Sequence, residues 1–254
     1  MWKLGERYRK RSVHYKLSAG IIIKTENAAK PHNQTSAYLK SLILGLEPVS
    51  SSFDYGCGKL RYRDVMLRVT DTLALVDSEM QITREQMIWG DYTTIRASVQ
   101  RSNRLSAYNT TEFVHLRTKF DRGFCINVLS VIPIAAARQR VLHFIRGKLR
   151  AGGTCLFVVQ YRNSDFTRMR RLPNAQPYLD GFLIDSLRGY SFYGLISPEQ
   201  LTGMVVKAGF EVVKQTLNQG SVYLMVRSQG PSGPVPVMDE QNNFQPIDLR
   251  RASR

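Results

Sequence analysis

The chain has 254 residues, with 36 Lys plus Arg against 20 Asp plus Glu and a formal net charge of +16. Hydrophobic residues make up 43%, enough for a core, which excludes a wholly disordered chain. The length suits one large α/β domain with an appendage, and the basic excess points to a polyanionic partner, with nucleic acid the leading class.

The first stretch, Met1 to Lys24, carries seven basic residues and one acid, Glu6. It reads as a basic arm with two short strands, Val13–Leu17 and Ile21–Lys24, around a Ser18-Ala19-Gly20 turn. A loop follows at Asn27–Asn33. Asn33 then caps a helix expected over Gln34–Leu44, which Pro48 and the run Ser50–Ser52 close off. Residues 1–49 form this arm and its cap.

The core domain is expected over 50–227. Phe53-Asp-Tyr-Gly-Cys-Gly58 reads as a buried strand running into a tight glycine turn, with helical spacing over Tyr62–Thr70. Leu73-Ala-Leu-Val76 is a continuous apolar run ending in Asp77, the pattern of an inner parallel strand. Arg104–Tyr108 and Phe120–Leu129 read as further strands. Ala135–Leu149 reads as an amphipathic helix stopped by Ala151-Gly152-Gly153, and Thr154–Gln160 as the strand after it. Residues 167–192 form an insertion, basic at first and aromatic later. Pro198–Ala208 is a helix, and Phe210–Leu217 with Val222–Val226 a hairpin. Residues 228–254, with four prolines, are a loose tail ending in Leu249-Arg-Arg-Ala-Ser253, the pattern of a basophilic kinase target. The fold class is therefore α/β, a Rossmann-like doubly wound and mostly parallel sheet with an antiparallel C-terminal hairpin.

The three cysteines are widely spaced and odd in number, so no disulfide framework is expected and a reducing cytoplasm is the expected setting. Four scattered histidines give no metal-ligand spacing, and no metal is expected. No apolar run is long enough to span a bilayer, and no membrane partner is expected. The oligomeric state is not encoded in any pattern.

The chemistry lies in the segment Asp54-Tyr-Gly-Cys-Gly58 and in Asp77, nineteen residues after Gly58. Glycines at the first strand-to-helix turn let backbone approach a ligand, and an acid at the end of the next strand can accept ribose hydroxyls. A third glycine of the dinucleotide pattern is missing. Asp54 just before the turn would repel a pyrophosphate but suits an ammonium group.

These residues resemble the first motif of class I S-adenosylmethionine-dependent methyltransferases, and Asp77 resembles their ribose-binding acid. Lys119–Pro133 is similar to their fourth-strand segment, Leu149–Gly153 to their approach to strand five, and Ser197–Leu201 with Ala208–Val212 to their late helix and sixth strand. The resemblance spans about Ser52 to Arg227. It implies S-adenosyl-L-methionine as cofactor and methyl transfer as the reaction. It implies that Asp54, with Tyr55, Gly56, Cys57 and Gly58, holds the methionine end. Asp77 would take the ribose and Ser78 flank the adenine. Asn109 or Thr110 would stand at the third-strand position near the adenine, and Asn127 and Val128 would line the methionine side. Leu60 stands where the family often has glycine, which predicts a narrower methionine end. Tyr161 and Arg162, after a central strand, are the candidate catalytic residues. Asn127-Val-Leu-Ser130 lacks the Pro-Pro motif of amino-methylating DNA enzymes, and no Pro-Cys dipeptide is present. The Arg-rich and aromatic stretch and the basic arm favour a nucleic acid or a nucleic-acid-associated acceptor. A small molecule or protein acceptor, or an inactive methyltransferase-like binding module, are the alternatives.

Overall fold

The structure is a computed structural model and describes residues 14–17 and 20–230. The basic residues Lys3, Arg7, Arg9, Lys10 and Arg11 and the tail over 231–254 lie outside the described residues, as do Val13, Ser18 and Ala19.

Seven strands form the central sheet. They are β1 Val49–Tyr55, β2 Thr70–Asp77, β3 Leu105–Asn109, β4 Phe120–Ile126, β5 Leu149–Gln160, β6 Phe210–Asn218 and β7 Ser221–Ser228. The spatial order is β6-β7-β5-β4-β1-β2-β3. The pairs β1/β2, β1/β4, β2/β3 and β4/β5 are parallel, whereas β7 runs antiparallel to both β5 and β6. The sheet is thus mostly parallel with an antiparallel terminal hairpin, and the chain order reverses between β1 and β4. In open α/β sheets such a switch point opens a crevice at the carboxyl ends of the strands.

The helices are α1 Ala37–Leu44, α2 Arg63–Met66, α3 Glu79–Thr83, α4 Ile95–Val99, α5 Thr110–His115, α6 Ala135–Lys148, α7 Ser164–Met169 and α8 Pro198–Lys207. Two apolar cores flank the sheet. One packs Phe53, Phe113, Leu142, Ile145, Phe157 and Leu201, from the sheet and from α5, α6 and α8. The other packs Leu39, Ile43, Met66, Leu75, Ile82 and Phe124, from the sheet and from α1, α2 and α3. Alternation along the inner strands feeds both faces: Phe53 and Ala74 face one core, Leu73 and Leu75 the other.

Several boundaries differ from the sequence expectation. Helix α1 starts at Ala37, and its cap is Ser36, whose Oγ accepts from Leu39 N at 3.2 Å, rather than Asn33. Ser50–Ser52 lies inside β1, and the helix expected over Tyr62–Thr70 shrinks to Arg63–Met66. Ala151-Gly152-Gly153 does not stop α6 but lies within β5. Gly152 takes φ +75 there, and the β4/β5 register shifts between Phe120 and Arg122. A small hairpin, Gln86–Ile88 with Asp91–Thr93, turns on Trp89 and Gly90, both at positive φ; no sequence expectation covers it.

Two appendages sit over the carboxyl edge. His14–Lys16 pairs antiparallel with Ile22–Lys24. Between β5 and α8, the strands Ala175–Tyr178, Gly181–Ile184 and Ser191–Gly194 form an antiparallel three-stranded sheet. The appendages are tied together. Lys24 N donates to Tyr190 O at 3.1 Å, Asn27 Nδ2 donates to Arg188 O at 3.0 Å, and Lys30 forms an ion pair with Asp165.

Candidate active site

The carboxyl ends of the central strands open into a cavity of about 2010 Å³, roofed by residues of 14–34 and by the inserted sheet. Its floor is the turn after β1. Gly56 N and Cys57 N both donate to Val76 O, at 2.8 and 3.0 Å, so the turn is docked on the end of β2. Gly56 has φ +79, and a Cβ there would stand 2.3 Å from Val128 Cγ2. Only glycine fits between this turn and Val128.

Asp54 is 5% exposed and lines the cavity. Burial first, and then the neighbouring Asp77 carboxylate, push its pKa up to about 7, against the pull of Arg61. Asp77 ends β2 and is half-buried. Its Oδ2 accepts from Gly58 N at 2.8 Å and its Oδ1 from Ser78 N at 2.7 Å. Burial raises its pKa, the N–H groups of Gly58 and Ser78 and the charge of Arg84 oppose that rise, and Glu26 adds to it. Each Asp77 oxygen keeps a lone pair free for a further donor.

Ser78, not Asp77, is the helix cap: its Oγ accepts from Gln81 N at 3.2 Å at the start of α3. Asn109 ends β3 beside Asp77, caps α5 in a reciprocal box with Glu112, and donates to Glu79. Thr110 follows it on the cavity wall. Asn127, just past β4, takes φ +62 and donates its N–H to Val158 O at 2.8 Å. The structure therefore brings Asp54, Tyr55, Gly56, Cys57, Gly58, Asp77, Ser78, Asn109, Thr110, Asn127 and Val128 to one cavity. Burial pushes the Cys57 thiol well up, so it stays protonated. Among the described residues no His, Cys, Asp or Glu group of three or more could hold a metal ion.

Leu60 does not narrow this cavity. It takes φ +57, and its side chain packs at 5% exposure into the core on the far side of the sheet. Tyr161 and Arg162 are not brought to the cavity. β5 ends at Gln160, and Tyr161 N turns away to Gly220 O at 3.0 Å, with the Arg162 guanidinium 5.2 Å over the Tyr161 ring. Gln160 lines the cavity in their place.

Further lining residues have no sequence motif. Gln81, 1% exposed, donates Nε2 to Gly58 O and fixes the glycine turn. Glu26, Lys30, Arg140, Phe192 and Tyr193 come from the roof and from α6. Only the topology brings them to strand ends far away in sequence.

No family model matches the chain. The uncharacterized protein YmfD of Escherichia coli (strain K12) is 33% identical over 212 residues, covering 82% of this chain and 94% of YmfD. Among solved structures, the DhpI–SAM–HEP complex matches with a TM-score of 0.56 at 14% identity, over 80% of this chain and 90% of that one. A Clostridium acetobutylicum S-adenosylmethionine-dependent methyltransferase matches at 0.54 and 12% identity, over 80% and 94%. Burkholderia thailandensis 1,6-didemethyltoxoflavin-N1-methyltransferase, with 1,6-didemethyltoxoflavin and S-adenosylhomocysteine bound, matches at 0.51 and 17% identity, over 80% and 79%. The fold is that of the class I S-adenosylmethionine-dependent methyltransferases.

Proposed function

We propose that this chain, which belongs to one family with YmfD of Escherichia coli, is an S-adenosyl-L-methionine-dependent methyltransferase whose acceptor enters a roofed cavity. The observation that carries the reading is Asp54. A carboxylate 5% exposed and pushed up to about 7 is held at a glycine turn where a cationic ligand would favour its charged form. The cofactor's ammonium is such a cation. Asp77 keeps free lone pairs for ribose hydroxyls, and the glycine turn, with Val128 packed against Gly56, lines the cavity where the methionine end would lie. Ser78, Asn109 and Thr110 stand where the adenine would lie.

When bound, the cofactor supplies a methyl group on a sulfonium, open to in-line displacement. The chain's own residues hold, orient and shield the reactants, which is most of what this reaction asks of a protein. The cavity of about 2010 Å³ exceeds the roughly 300–1,000 Å³ of a single small-ligand pocket, so cofactor and acceptor fit together under the roof. The small-molecule acceptor of the Burkholderia thailandensis enzyme supports a small-molecule acceptor here. The +16 charge favours a second reading, a nucleic-acid acceptor. Three free, buried cysteines accord with action in the cytoplasm.

Calorimetric titration with S-adenosylhomocysteine tests the reading. One saturable site is expected, and Asp77→Ala is expected to weaken it by about 10-fold or more through lost charge-assisted hydrogen bonds. Absence of binding would leave a methyltransferase-like module without the cofactor and would overturn the proposal.

A further inference from the structure

Glu26 Oε2, Arg61 Nε, Gln81 Oε1 and Gln160 Oε1 are buried atoms of cavity-lining side chains with no hydrogen-bond partner among the described residues, and Gln160 alone of these residues ends a central strand. Gln160, the last residue of β5, is 6% exposed. Its backbone is engaged: the N–H donates to Ser130 Oγ at 3.0 Å, and the carbonyl accepts from Ile196 N at 3.0 Å. Its carboxamide oxygen is not. Oε1 is buried with no hydrogen-bond partner among the described residues. Buried amides in folded proteins are nearly always paired, and one left open in a cavity wall invites a ligand that pairs it.

The groups around it restrict that ligand. Phe192, Tyr193, Met169 and Ile132, all buried, line the same cavity. The carboxylate of this end is already engaged, since Asp165 pairs with both Lys30 and Arg168. The Tyr193 hydroxyl donates to Asn163 Oδ1 at 2.6 Å and is thereby used. Aromatic walls favour a flat ring, and an acid already engaged by two cations offers no counter-charge to a cationic one. A carboxamide presents one acceptor and one donor side by side, which complements a ring edge carrying a donor next to an acceptor.

We propose that Gln160 determines acceptor specificity by pairing with a flat, neutral heterocycle that presents adjacent donor and acceptor atoms, a cyclic amide or a nucleobase edge. The proposal rests on the cavity's reading as a methyl-transfer site. The heterocycle has two possible sources, a free compound or a base of single-stranded RNA, and the experiment separates them.

The test uses the full chain saturated with S-adenosylhomocysteine, titrated calorimetrically with 2-quinolone, with 2-naphthol and with a single-stranded RNA oligonucleotide. Gln160→Met keeps the side chain's length and removes the amide. Because it deletes an unpaired buried polar group, its melting temperature should equal or exceed that of the parent. The expected result is that 2-quinolone binds and that Gln160→Met weakens it about 10-fold or more. Over the same change 2-naphthol, lacking the paired edge, stays within about 2-fold, as does S-adenosylhomocysteine. Loss confined to 2-quinolone assigns a free heterocycle, and a matching loss with RNA assigns a base. If neither 2-quinolone nor RNA binds, or if Gln160→Met binds them as tightly as the parent, the proposal is overturned. Failure of S-adenosylhomocysteine to bind the parent chain overturns the methyltransferase reading instead, and 2-quinolone titrated alone then still reports on Gln160.

Discussion

At Asp54 the fold keeps a carboxylate where burial disfavours its charge. An aspartate in the unfolded chain titrates near ~3.9, whereas the folded one is raised to about 7. Between those values the folded chain holds a proton that the unfolded chain has lost, so stability falls as pH rises from about 4 to about 7. Asp54→Asn should flatten that slope in a series of melting temperatures and melt no lower than the parent at pH 8. An unchanged slope would mean that Asp54 ionises freely. The same group ties ligand binding to pH. A cation prefers the ionised form, so S-adenosylhomocysteine should bind more tightly as pH rises through about 7 and should release a proton on binding below it. Calorimetry in buffers of different ionisation enthalpy reads that release. Gly56→Ala should cost about 1–3 kcal/mol in urea unfolding, because its Cβ meets Val128. Adding Val128→Ala removes the clash but leaves the strain of φ +79. The glycine turn and Asp77 were legible because their chemistry is local. Gln160 was not. Tyr161 and Arg162 lie one and two residues later, and the strand's end is set by Ser221 and Ser130 across the fold.

Among the elements, the inserted three-stranded sheet is held to α6 by one buried contact. Arg138, 3% exposed, donates Nη2 to Asp180 Oδ1 at 2.9 Å, pairs again through Nη1, and donates Nε to Ile132 O at 2.7 Å. Removing the carboxylate leaves the guanidinium buried without its counter-charge, with the Ile132 O contact remaining. Asp180→Ala should cost about 3 kcal/mol, the lower end for a broken buried pair because Asp180 is 33% exposed. Hydrogen exchange should speed up across Ala175–Gly194 before the central sheet loosens. Uniform exchange across both sheets would show that the pair does not anchor the insertion. The inner strands β1, β2 and β4 were readable from continuous apolar runs, since parallel strands buried on both faces need them. The caps and bulges were decided elsewhere. Asn33 and Ser36 are equally suited by type, and Ser36 prevails where its N–H donates to Tyr62 Oη at 3.0 Å, a partner 26 residues away. Trp89 at positive φ hid the small hairpin, because only Gly90 of the turn is a familiar turn residue and the Arg63 guanidinium stacks 3.3 Å over the Trp89 ring.

For the whole molecule, the structure redistributes the +16 charge. The run Arg138–Arg171 looks like a basic stripe in sequence, yet much of it is used internally. Arg138 is paired with Asp180, Lys148 is 6% exposed and donates to Val114 O and Leu116 O, and Arg150 pairs with Asp121. Arg146 donates to Gln229 O, and Arg170 lies over the Phe166 ring. A polyanion would therefore meet fewer free cations on this stretch than composition suggests, and the residues of the arm, Arg7, Arg9, Lys10 and Arg11, gain weight as its partners. Replacing those four by Gln removes four charges and leaves every described residue of the cavity lining in place. Binding of a single-stranded RNA oligonucleotide, followed by fluorescence anisotropy from 50 to 200 mM salt, should then lose about 3 from its log–log salt slope, at ~0.7 per phosphate contact. S-adenosylhomocysteine affinity should not change. A slope unaltered by the replacement would take any RNA contact off these four residues. No RNA binding at 50 mM salt would separate the charge from the reaction and leave the acceptor to the cavity alone.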